Sequence, residues 1–119
     1  METDMEFDVL WLDDIVSHVK VGPGKDVMID RFVIHPLKQI FCKDRMTKYE
    51  LGEVMRLRCV DENRADIKEY LEYIGLREYD IWKILRATHG AMSQDFIWIR
   101  FSGERLTAGD IFGRRMPRD

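Results

Sequence analysis

The repeat of apolar residues along this chain changes at Thr47, and that change constrains the fold more than any other feature. Up to that point apolar residues come in short clusters of strand composition; beyond it they recur every three or four residues. The pattern predicts an α+β domain: an N-terminal antiparallel β-meander, a three-helix middle and one late strand that returns to the sheet.

Phe7 to Leu12 is rich in aliphatic, aromatic and β-branched residues, Asp13-Asp14 interrupts it, and Ile15 to Val21 resumes the pattern. This predicts a hairpin turning at Asp13-Asp14, because Asp tolerates the positive φ of a two-residue turn better than most residues. Alternation sends Ile15, Ser17, Val19 and Val21 to one face and Val16, His18 and Lys20 to the other. Gly22-Pro23-Gly24 marks the next turn, and Val27 to Ile34 is a third strand that stops before Pro36. His35 to Arg45 mixes helical spacing at Leu37, Ile40 and Phe41 with polar interruptions, and is expected to be a loop with some buried residues.

Thr47-Lys48-Tyr49-Glu50 matches a capping box and starts the first helix, with Leu51, Val54, Met55 and Arg58 on one stripe. The aliphatic stem of Arg58 is expected to cover the edge of the core. Asp61 to Asn63 breaks the chain and caps a second helix, Arg64 to Ile74, closed by Gly75. Asp80 caps a third, Ile81 to Thr88, with Gly90 at its end. Asp95 to Phe101 reverts to strand composition and is almost continuously apolar, so either both its faces are covered or one is a contact surface. Thr107 to Asp110 can start one helical turn through Phe112. Met1 to Glu6 and Gly113 to Asp119 are expected to be flexible ends of a single domain spanning residues 1–119.

The 119 residues are enough for one core, and 45% hydrophobic with 34% charged residues is the balance of a chain that folds. A net charge of −3 with both signs interspersed supplies no field for phosphate backbones or anionic lipid. No apolar run is long enough to span a bilayer, and the acidic opening lacks a secretory pattern, so a cytoplasmic location is expected. The cysteines, Cys42 and Cys59, are then expected to be reduced and structural.

No zinc-type Cys or His spacing occurs, so neither a metal nor another cofactor is expected. Gly22 to Asp26 has a Gly-Lys step but lacks the earlier glycine, the following Ser or Thr and the helix of a phosphate loop. No nucleophile elbow, metalloprotease or kinase motif is present. Basic residues along the helices alternate with carboxylates, which argues against nucleic-acid binding. One polar cluster stands out, because Arg86, His89, Gln94 and Asp95 lie between the third helix and the most hydrophobic strand. The plain expectation is that Arg86 and Asp95 neutralise each other while His89 caps the helix. The functional expectation is a partner-binding surface of Arg86, His89, Asp95, Trp98 and Arg100. Whether Trp11 and Trp98 belong to the core or an interface is open at this level.

The opening strand pair at Phe7 to Trp11, the helix Tyr79 to Leu85 and the strand Phe96 to Ile99 together resemble the small N-terminal subdomain of HipA-type kinases. Lys38 to Asp44, Tyr49 to Gly52 and Thr88 to Gly90 also look like small bacterial proteins found alongside such kinases. The resemblance implies a stand-alone counterpart of that subdomain, docking on a kinase and regulating it like the separate small subunit of HipBST-type toxin–antitoxin systems. It implies a non-enzymatic, antitoxin-like regulatory role. Small size and absent catalytic motifs fit equally a phage or mobile-element inhibitor that binds a host defence protein. A small enzyme built around Arg86, His89 and Asp95 is the third reading.

Overall fold

The computed structural model describes residues 5–117. Five strands, β1 (Met5–Trp11), β2 (Asp14–Val21), β3 (Asp26–Arg31), β4 (Arg45–Thr47) and β5 (Ile97–Phe101), form one sheet in the order β4-β3-β2-β1-β5. Every neighbouring pair is antiparallel. The helices are α1 (Lys48–Arg56), α2 (Ile67–Tyr73), α3 (Ile81–Thr88) and α4 (Ala108–Phe112), followed by a 3₁₀ turn at Gly113–Arg115. The fold is therefore α+β, with the early meander, the helical middle and a late strand that rejoins the sheet beside β1.

Local chemistry explains most element boundaries. Thr47 Oγ1 accepts from the Glu50 amide while Glu50 reaches back to the Thr47 amide, so the capping box opens α1 where the sequence places it. The Asp80 carboxylate accepts from Trp82 and Lys83 at the start of α3. His89 closes that helix at φ 57°, and Gly90 follows at φ +63°. A Cβ on Gly90 would come within 2.9 Å of Ile99 Cδ1, so this glycine is required by both its backbone and its neighbours.

Several local expectations are overturned. The hairpin loop is Leu12-Asp13 rather than Asp13-Asp14; Leu12 takes φ 53°, and Asp14 opens β2 opposite Trp11. A β-bulge then shifts the register, pairing Val9 with Ser17 but Leu10 with Ile15. The extra residue breaks strict alternation, so Val16 is buried in the core and Ile15 is 40% exposed. β3 ends at Arg31, three residues before the predicted limit, and β4 is a short pairing partner for it that composition did not reveal. α2 begins at Ile67, with Asp66 before it making no side-chain cap bond.

The main core lies on one face of the sheet, where Phe7, Val9, Val19, Val27 and Ile29 meet Leu51 and Met55 of α1 and Trp82 and Leu85 of α3. A second cluster on the opposite face packs Leu10 and Trp98 against Ala108 and Phe112 of α4. β5 is thus covered on both faces, one of the two alternatives its composition allowed. The Asp13 carboxylate accepts from the Ala108 amide at 2.8 Å and ties α4 to the first hairpin.

The ends are more structured than their composition implies. Met5 and Glu6 belong to β1, while Met1 to Asp4 lie outside the described residues. In the tail, Arg115 donates to the carbonyls of Met92, Ser93 and Asp95, and its guanidinium lies 5.3 Å from the Phe96 ring centroid and 5.1 Å from that of Phe112. Three carbonyl acceptors and two aromatic faces hold a segment that composition alone assigned to a loose tail; Arg118 and Asp119 lie outside the described residues.

Candidate functional site

The polar cluster expected between α3 and β5 assembles, but with different partners. Asp95 pairs with Arg58, not Arg86: Arg58 Nη1 and Nη2 reach the two Asp95 oxygens at 2.8 and 2.9 Å. Arg58 Nε donates to Gly90 O at 3.0 Å and Nη2 also donates to Ile97 O at 2.9 Å. The Arg58 side chain is only 8% exposed. It follows the end of α1 and turns its charged head inward, so its role is larger than the covering stem the helical stripe suggested. Burial pushes the Asp95 carboxyl up, but hydrogen bonds from Arg58 and the Ile97 amide, with the charges of Arg58 and Arg115, outweigh it and hold the pKa below the usual carboxylate value.

The other expected site residues divide by exposure. Arg86 lies over the Phe101 ring at 4.2 Å, on the β5 strand rather than at Asp95. His89 Nε2 meets Glu104 Oε2 at 2.9 Å, its amide bonds Leu85 O, and its carbonyl accepts from Ile99 N at 2.7 Å. It caps α3 as expected and also satisfies the outer edge of β5. Trp98 is fully buried and donates through Nε1 to Leu12 O at 2.7 Å, so it is a core residue and is removed from any contact surface. Trp11 is half-buried at the edge of the main core, with the Lys38 ammonium 4.1 Å from its ring centroid. Arg100 is half-buried on the uncovered part of the sheet. Gln94 is exposed and lines a shallow groove with Arg64, Tyr70 and Met92.

Two features escaped the sequence reading. The first is a charged row across the open sheet face. His18 Nδ1 lies 2.6 Å from Asp8 Oδ1 and its Nε2 lies 3.0 Å from Glu6 Oε2, while Arg100 Nη2 lies 3.7 Å from Asp8 Oδ2. Register places His18 opposite Asp8 on β1 and Asp30 on β3, and Asp8 opposite Arg100 on β5. A shallow cavity of about 280 Å³ lies beside the row, lined also by Ser102, Gly103 and Glu104. Among the described residues no group of three or more His, Cys, Asp or Glu side chains is arranged to hold a metal ion.

The second is the segment that leaves β3. Phe32, Ile34 and Leu37 are 62%, 69% and 75% exposed within six residues, although Phe32 and Ile34 were expected inside a strand. The amides of Phe32 and Val33 both reach Val16 O, and Gln39 Nε2 bridges Val16 O and Val33 O. The segment is therefore anchored by the amides of Phe32 and Val33 at one end and by the Gln39 side chain at the other, while the side chains of Phe32, Ile34 and Leu37 are exposed.

No protein-family model, curated protein or solved structure matches this chain. No helix among the described residues is long and apolar enough to cross a membrane.

Proposed function

We propose that this chain is a non-enzymatic protein-interaction module that docks through the segment Phe32 to Leu37. The observation that carries the reading is the anchored run of large apolar side chains at Phe32, Ile34 and Leu37, left in water by a backbone tied down on both sides. Clustered apolar exposure on a fixed loop is the surface pattern of a contact site, whereas isolated exposed apolar residues are ordinary. This reading puts the contact site on the loop after β3 in preference to the α3–β5 step. Of the residues first assigned to it, Trp98 is in the core, Asp95 holds Arg58 and His89 holds the turn.

The partner implied by the resemblance is a HipA-type kinase, regulated by the docked module. Co-expression tests both levels. The wild-type chain is expected to co-purify with a co-expressed HipA-type kinase, and the triple variant Phe32→Ser, Ile34→Ser, Leu37→Ser is expected to lose the complex while keeping its circular dichroism spectrum. A complex that survives the triple variant refutes the docking segment. Absence of any complex with the kinase refutes the kinase partner.

A further inference from the structure

We propose that His18 is a proton-operated clasp that holds the first half of β1 to β2 and loosens it when the imidazole loses its proton. The argument starts from geometry. His18 stands on the open sheet face with a carboxylate at each ring nitrogen, Asp8 at Nδ1 and Glu6 at Nε2, and both belong to the same strand. An imidazolium has two N–H donors and satisfies both carboxylates at once. A neutral imidazole has one donor and one lone pair, so one of the two carboxylates then faces a lone pair instead of a proton.

The other charges around His18 among the described residues do not replace the lost proton. Asp30 of β3 is the register partner of His18, Lys20 lies two residues along β2 opposite Glu6, and Arg100 of β5 reaches Asp8 at 3.7 Å. Glu104, at the cavity rim, is taken by His89 and by the Phe101 amide. Among the described residues of this row, with His18 charged, three cations (His18, Lys20, Arg100) face three carboxylates (Glu6, Asp8, Asp30); without its proton those carboxylates outnumber the cations. The Asp8 hydrogen bond is the largest contribution raising the His18 pKa above its ordinary value, with burial opposing it and the charges of Asp8 and Glu6 adding to the rise. The sign follows. A raised folded-state value means that the clasp is complete below the ordinary histidine range and is lost as pH rises through the raised value.

The start of β1 is where the loss should be felt. Beyond its sheet bonds, Glu6 is held by its carbonyl to the Ser102 amide at 3.0 Å, and the Phe7 ring packs on Trp82 and Phe101 with centroids 6.0 and 5.7 Å away. Those contacts keep the strand in place, so loosening is local rather than global.

The test is an NMR titration of the His18 ring in the intact chain, paired with amide exchange across β1. The expected result is an inflection above 6.5 with exchange at Phe7 and Asp8, corrected for intrinsic base catalysis, rising severalfold through the same pH. The variant His18→Gln is expected to show exchange in β1 that does not follow pH. An inflection at or below 6.5, or β1 exchange that ignores the inflection, overturns the proposal. So does a His18→Gln chain that keeps the wild-type pH dependence; if that variant does not fold, the wild-type titration decides alone.

Discussion

Replacing Asp95 by alanine isolates the interaction that joins α1 to the late strand. Arg58 makes four hydrogen bonds, two to Asp95 and one each to Gly90 O and Ile97 O, from a side chain only 8% exposed. The Asp95→Ala change keeps the two backbone acceptors but removes the countercharge, leaving a buried guanidinium unpaired. Removing one member of a buried pair costs about 3–5 kcal/mol. Asp95 is 29% exposed, so water can reach the vacated side and the lower end, about 3 kcal/mol, applies here. In a domain of this size that lowers Tm by about 10 °C. Urea denaturation measures it, and a double-mutant cycle with Arg58→Ala should give a coupling of about 2 kcal/mol or more for groups in direct contact. Asp95→Asn keeps an acceptor for the Ile97 amide and should fall between wild type and Asp95→Ala. The acid limb is a second readout. Because the folded-state pKa of Asp95 is lowered, the pair contributes fully above the ordinary carboxylate range and its contribution is lost as pH falls, so Asp95→Ala should flatten that limb. A loss under about 1 kcal/mol, or a coupling near zero, would refute the view that this pair joins the two halves of the fold.

Gly90→Ala must hold a left-handed residue and place a methyl 2.9 Å from Ile99 Cδ1, which together should cost about 2 kcal/mol or more by thermal denaturation. Its failure to destabilise would show that the α3–β5 step can relax. Thiol labelling of the native protein should modify Cys42, which is exposed, well before Cys59, whose pKa is pushed up to about 12 chiefly by burial. Equal rates would show that the turn after α1 opens readily.

Legibility tracked how local each cause was. The capping box at Thr47, the Asp80 cap, the Gly75 and Gly90 closures and the bounds of α3 were all readable, because each depends on residues within a few positions of one another. The late strand was readable from composition, and its two covered faces stood among the stated alternatives. Arg58 with Asp95, 37 residues apart, was not, and a helical stripe could only place the stem of Arg58 at the core edge. Nor was the pairing of His18 with Glu6 and Asp8, since each of these residues alone reads as an ordinary polar position on a strand.

The sequence by itself determined the class of the fold and, β4 apart, the order of its main elements, through the change of apolar period at Thr47 and the caps that follow it. Only the tertiary structure decided which side chains meet. One bulge residue at Val16 turned Ile15 out and Val16 into the core, register set His18 opposite Asp8, and the return of β5 beside β1 brought Arg100 to Asp8 and Asp95 to Arg58. The physical reason is that periodicity records which face of an element is apolar. Register, bulges and strand order are settled by contacts between distant segments, and a shift of one residue exchanges the two faces of a strand.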